Sequence, residues 1–208
     1  MVTETFKKQL NKFLLAFGIS LMLGIVILGE DFRNSLGQSV GFLMDPLVNL
    51  LGASNFHIVL FIMASITALY ASLIQKYTMD WELMRSTQEK MRVFQKQFRE
   101  AQLSNNTSLM KKMESERTAM MSEQMEMSKQ QFKPMAYISI ISLPLFMWAY
   151  YFITLPEHGG ASFVFPFWGE QLLTDTIIGP FQYWIFWYFI ASLAVSQLIR
   201  KALDVGGI

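Results

Sequence analysis

The sequence predicts an all-α integral membrane protein: an N-terminal signal anchor, then a three-helix membrane core carrying a cytoplasmic antiparallel coiled-coil hairpin. Three observations point there. Of the 208 residues 52% are hydrophobic and only 16% charged, and the apolar ones come in unbroken blocks rather than at a period of two or 3.6. The interval 76–133 instead holds eleven of the seventeen Lys and Arg, eight of the sixteen acids and nine of the fifteen methionines. Each charge at the centre of a spanning helix costs about 2.5–3.5 kcal/mol, so this interval stands in water while the apolar runs Ile58–Ile74 and Met135–Leu155 fix its ends. Finally, a cytoplasmic N-terminus and four spans put sixteen basic residues in the cytoplasm and leave only Arg33 outside. The inverse arrangement translocates all sixteen, against the positive-inside rule.

The elements follow in order. Residues 1–33 form the signal-anchor span. Lys7, Lys8 and Lys12 precede Phe13–Gly29, seventeen uncharged residues or about 25 Å of helix, and the sequence around Ile27-Leu28-Gly29-Glu30 lacks a small-x-small cleavage site. Residues 34–56 are broken by Gly37, Gly41, Pro46 and Gly52. Leu36, Val40, Leu43, Leu47, Leu50 and Leu51 recur three and four apart, as in a helix lying in the membrane interface.

Residues 57–75 are the next span. Ser65, Ala68, Ser72 and Gln75 make one small, polar stripe, which reads either as helix–helix packing or as the wall of a wet groove; alone, the stripe favours packing. Residues 76–133 form the hairpin. Met84, Met91 and Phe98 are seven apart on its first helix, and Met113, Met120 and Met127 on its second. Between them lies the turn-forming Ser104-Asn105-Asn106-Thr107-Ser108. Pro134 ends the second helix.

Residues 135–155 are the third span, with Ser139, Ser142 and Pro144, and with Trp148, Tyr150 and Tyr151 suited to an aromatic belt. Residues 156–179 are an extracytoplasmic loop without a basic residue. Residues 180–199 are the last span, where Tyr188, Ser192 and Ser196 lie four apart on one face. Arg200-Lys201 stop it and begin a cytoplasmic tail, residues 200–208.

Little of this supports catalysis. The chain has no cysteine, hence no disulfide, thiol nucleophile or thiolate site. His57 and His158 lack metal-ligand spacing, and Glu157-His158 reads as a solvated turn. Neither a catalytic residue set nor a phosphate loop is present, and no cofactor or metal is expected. No acid or base lies within a span, which disfavours proton-coupled transport. Basic and acidic residues alternate on the hairpin, as on a solvated helix pair rather than a nucleic-acid arm. Its methionines either fill the seam between the two helices or, being flexible and polarisable, catch varied apolar segments. Met84, Met91, Met113, Met120, Met121 and Met125 are the candidates for capture.

Several motifs resemble one family. Phe42-Leu43-Met44-Asp45-Pro46-Leu47-Val48-Asn49-Leu50-Leu51 is similar to the interfacial helix that precedes the first core span of YidC/Oxa-type membrane insertases. The order of span, charged hairpin and two further spans is similar as well. Asp80-Trp81-Glu82, Met91-Arg92-Val93-Phe94-Gln95-Lys96, Phe132-Lys133-Pro134-Met135, Phe165-Pro166-Phe167-Trp168, Tyr183-Trp184-Ile185-Phe186-Trp187-Tyr188 and Ser196-Gln197-Leu198-Ile199-Arg200-Lys201 resemble its archaeal branch. That branch is related to subunit 3 of the ER membrane protein complex.

Over residues 40–203 the resemblance implies three core helices around a hydrophilic groove, and ATP-independent insertion of membrane proteins with short translocated flanks. It moves Ser65, Ser72, Gln75, Ser139, Ser142, Ser192 and Ser196 from packing toward groove lining. One departure matters: bacterial members keep an Arg in the groove, and no span read here holds Lys or Arg. The implied partners are the lipid bilayer, nascent or newly released membrane-protein clients, and ribosomes or other insertion-machinery subunits, in the plasma membrane of an archaeon. The rival readings are a membrane-anchored coiled-coil scaffold in a larger complex and a small-solute channel.

Overall fold

The computed structural model describes residues 2–104, 107–156, 158 and 160–205, and these are mostly helical. They divide into two compact units: residues up to 76 together with those from 136 onward, and residues 77–135. The membrane unit contains α1 (Val2–Ile27), α2 (Gly29–Leu51), a 3-10 turn (Ala53–Asn55), α3 (Phe56–Thr78), the last part of α5 (Thr107–Thr154) and α6 (Tyr183–Ala202). Three stretches, Lys8–Ile27, Ala53–Thr78 and Met110–Thr154, are long and apolar enough to cross a membrane. The protein is thus an α-helical membrane protein. α6, expected as a further span, opens with Tyr-Trp-Ile-Phe-Trp-Tyr; these polar-edged rings leave it outside those three.

The apolar core gathers Met44, Val48, Phe56, Leu60, Met63, Trp148, Phe152, Ile153 and Trp184 from four helices. Large rings dominate it, and each indole N–H finds an acceptor, as buried tryptophans require. Trp148 Nε1 donates to Asp45 Oδ1 at 2.9 Å, Trp184 Nε1 to Gln182 Oε1 at 2.7 Å and Trp187 Nε1 to the His57 carbonyl at 2.8 Å. Trp148 is therefore not a belt residue. It is 1% exposed, and its polar edge is satisfied by a carboxylate from α2 rather than by lipid headgroups.

Two glycines let backbones touch. A Cβ on Gly18 would lie 2.0 Å from the Ala136 carbonyl oxygen, and one on Gly37 would lie 2.7 Å from that of Met147. α1 and α2 thus both seat directly on α5, and any larger residue at these sites would force them off. α2 begins at Gly29, earlier than the expected boundary at 34, because only Leu28 separates it from α1. It ends where Gly52 adopts φ +83°. Its buried stripe is Gly37, Gly41, Met44 and Val48, while Phe42, Leu43 and Leu50 are exposed, an apolar outer face fit for lipid.

The expected loop 156–179 holds two small antiparallel hairpins. β1 (Ser162–Phe165) pairs with β2 (Gly169–Leu172), and β3 (Thr176–Ile178) with β4 (Phe181–Gln182). The strands are too short to announce themselves by alternation. They form because Phe163 and Phe165 stack on Trp187 and Tyr183, with centroids 4.4 and 5.1 Å apart. Gly169 at φ +70° closes the Pro166-Phe167-Trp168 turn. Glu157 lies outside the described residues.

The second unit comprises α4 (Trp81–Leu103) and the first part of α5. Asp80 caps α4, its Oδ1 accepting the Leu83 N–H at 2.9 Å. Along α4 from Met84 onward the less exposed positions are Met84, Thr87, Met91, Phe94, Phe98 and Ala101; along α5 they include Met113, Glu116, Met120, Glu123, Met127 and Gln130. Both rows alternate steps of three and four. Lys90 Nζ meets Glu123 Oε2 at 3.0 Å between the helices. Asn105 and Asn106 of the expected turn lie outside the described residues. Pro134 does not end the second helix: α5 continues through it. A helix-interior proline removes one hydrogen bond at a cost of about 3 kcal/mol. Here the helix persists on both sides of it, with Pro134 and Ala136 both buried.

Candidate functional site

Polar side chains in membrane helices bond back to their own backbone or across to a neighbour, since lipid offers neither donor nor acceptor. Sorting the expected groove residues by these two outcomes separates them. Ser65 bonds back, its Oγ donating to the Phe61 carbonyl at 2.8 Å, and Ser196 does the same to Leu193 at 3.2 Å. Ser142 and Ser192 are half-buried. Ser72 is 1% exposed. Ser139 points elsewhere: its Oγ donates to the Gly18 carbonyl at 3.1 Å and to Ala136 at 2.8 Å. That makes it part of the α1–α5 contact rather than a partner of the α3 stripe.

Gln75 reaches across. Its Oε1 accepts from Arg200 Nη2 at 2.5 Å. One residue on, Lys76 Nζ donates to the Leu203 carbonyl at 2.7 Å, closing the free C-terminal end of α6, where a cation also meets the helix dipole favourably. Asp204 at φ +51° and the Val205 N–H bonded to the Arg200 carbonyl at 2.9 Å complete that cap, with Val205 buried. Nearer the middle of the helices, Thr67 Oγ1 and Tyr188 Oη lie 2.8 Å apart. Thr67 is also bonded to the Met63 carbonyl at 2.6 Å. α3 and α6 therefore share a polar seam of Thr67, Tyr188, Gln75, Arg200 and Lys76, built from helices otherwise rich in Leu, Ile and Phe.

Arg200 lies just past the stretch 180–199 expected to span, yet the helix carries it along. It belongs to α6, which runs to Ala202, and its guanidinium faces a groove candidate. The signal was in the sequence: Tyr188, Ser192, Ser196 and Arg200 continue one spacing of four, although Arg200-Lys201 reads first as a stop. Thr67 gave no such signal, standing one position off the small-residue stripe.

On the second unit, the capture candidates divide by exposure. Met113 is 3% exposed, while Met121 and Met125 are 58% and 59% exposed. Met84, Met91 and Met120 are half-buried. A cleft of about 460 Å³ brings Met91, Met120 and Met121 beside Phe94 and Phe98. A second, of about 580 Å³, opens between Lys90, Val93, Phe94, Glu116 and Met120. Among the described residues no group of His, Cys, Asp and Glu is arranged to hold a metal.

The model of the family described as "Integral membrane protein EMC3/TMCO1-like" matches residues 41–207. No curated protein and no solved structure matches the chain. The family is linked to membrane protein insertion, and its members are insertase or scaffold proteins rather than known enzymes. With the match running from the middle of α2 to the end of the tail, the chain belongs to the EMC3/TMCO1-like family of integral membrane proteins, within the YidC/Oxa1/Alb3 insertase superfamily.

Proposed function

We propose that the chain is a membrane protein insertase of the archaeal branch, helping hydrophobic segments with short translocated flanks into the bilayer through a hydrophilic groove, without ATP. The observation that supports this best is the polar seam between α3 and α6. Hydroxyls, an amide and a guanidinium there occupy helices that lipid alone would keep apolar. Polar groups in a membrane helix carry a cost that function repays. A wet notch of this kind thins the apolar barrier, so a short polar flank crosses at lower cost, and burial of the client helix in lipid then drives the step downhill. Ser65, Ser72, Gln75, Ser142, Ser192 and Ser196 line the groove in this reading, joined by Tyr188 and Arg200. Ser139 serves the seating of α1.

The hairpin is read as a cytoplasmic antiparallel coiled coil, because both helices keep a three-four alternation of buried positions. Met121 and Met125, outside that seam, are its first contact with clients, alongside the cleft that holds Met91 and Met120. In the same reading α1 and α6 both span, the two termini and the hairpin are cytoplasmic, and the protein resides in the plasma membrane. The sixteen-to-one distribution of basic residues supports that orientation.

The cysteine-free chain makes the test direct. Single cysteines at 75, 192 and 196 should react with a membrane-impermeant thiol reagent supplied from the cytoplasmic side, and cysteines at Leu193 and Leu198, exposed on the outer face of α6, should not. Inert thiols at all three groove positions would remove the groove. A cysteine at Thr118 labelled from outside intact cells would reverse the orientation.

A further inference from the structure

We propose that the membrane unit holds one anionic membrane lipid, with a hydrocarbon chain in a cleft between α1, α2, α3 and α5 and its phosphate on Arg33. The cleft has a volume of about 640 Å³ and is lined by residues such as Phe17, Val40, Leu47, Ile66, Ile140 and Pro144. Ser39 is its one polar lining residue, and that hydroxyl is already bonded to the Leu36 carbonyl at 2.6 Å. Nothing in the lining therefore calls for water, and an apolar space excludes water but takes up apolar matter. At about 30 Å³ per water-sized group it accommodates about twenty such groups, the scale of one hydrocarbon chain. Its walls include three helices long and apolar enough to span, so the medium around it is lipid.

Arg33 identifies the headgroup. It is the sole Lys or Arg between Lys12 and Lys76. Its Nε is buried without a hydrogen-bond partner among the described residues, although Glu30 and Asp31 stand nearby on the first turn of α2. A guanidinium with a shielded, unmatched donor calls for an acceptor, and phosphate oxygens match its fork. Arg33 shares a helical face with Val40 and Met44 of the cleft, seven and eleven positions on, and helical side chains lean toward the N-terminus. On this spacing the proposal sets the headgroup at Arg33 and runs the tail alongside α2 past Val40 and Met44. Arg33 and the α1 wall lie outside the family match at 41–207, while the α3 and α5 walls lie within it; the site shares no residue with the polar seam between α3 and α6.

The test uses the full chain in mild detergent, with lipid retention read by native mass spectrometry against phosphatidylglycerol and phosphatidylcholine. The native chain should keep one lipid and prefer phosphatidylglycerol by about tenfold, because both headgroups offer Arg33 a phosphate but the choline ammonium of phosphatidylcholine offsets that attraction. Arg33→Gln should erase the preference while one lipid is still retained, and Val40→Trp should abolish retention of both. Should Val40→Trp not fold, a fluorophore on Ile140→Cys offers a second readout, quenched by phosphatidylglycerol brominated on its acyl chains. Equal affinity for the two headgroups in the native chain, no retained lipid, or a nascent chain crosslinking in the cleft in place of lipid would each overturn the proposal.

Discussion

The two units stabilise helices in opposite ways. In the membrane unit, interlocking rings and backbone-to-backbone seats at Gly18 and Gly37 hold the helices. Trp148 and Trp184 are buried to within 1%, and their N–H groups are matched one to one. In the unit of residues 77–135, Thr87, Ala101 and Met113 are deeply buried. The rest is half-open methionine and phenylalanine with an exposed ion pair. One unit depends on shape at single positions; the other depends on a repeat and tolerates change at most of them. That contrast suits an assembly in which one part must keep a polar seam open and the other must meet partners of varied sequence.

Substitutions can break or sharpen the contrast. The largest effect should come from Trp148→Ala, which removes a buried ring and strands Asp45; a loss of about 4 kcal/mol should appear in thermal unfolding in detergent. Gly18→Leu should follow at about 3 kcal/mol, since its side chain would meet the α5 backbone. A loss below about 1 kcal/mol at either site would show the unit to be as forgiving as the hairpin. Tyr188→Phe deletes the bond to Thr67 and should cost about 1 kcal/mol. Smallest of all, Lys90→Ala should cost under about 1 kcal/mol, and high salt should remove most of that difference. Replacing Met121 and Met125 with Ser should leave unfolding unchanged and weaken crosslinking to apolar nascent chains. Unchanged crosslinking would return those residues to a bystander role.

The legible part of this molecule was whatever repeats or accumulates. Apolar blocks announced α1, α3 and the end of α5, and the spacing of seven picked Met84, Met91, Met113, Met120 and Met127, all among the less exposed positions of their helices. What escaped were decisions made by single long-range partners. Trp148 read as a belt residue because nothing local reveals Asp45, 103 positions away. Ser139 read as groove lining because its acceptor lies on α1, and the strands around Phe163 and Phe165 exist only through rings on α6. Pro134 misled by a rule that is local, whereas helix continuity there is decided by burial. Arg200 was half legible, on a face spaced by four yet masked by its neighbour Lys201.

The account rests on the seam between α3 and α6 being the path of insertion. The direct measurement is the insertion of a short-tailed, single-span client into ATP-free proteoliposomes by the native chain and by a Ser192→Leu, Ser196→Leu double variant. Both serines are half-buried, so added bulk should be accommodated with the melting temperature unchanged while the notch is dried. We predict insertion reduced by about tenfold, the effect of about 1.4 kcal/mol on the barrier. A variant that folds normally and inserts the client at the native rate would contradict the account.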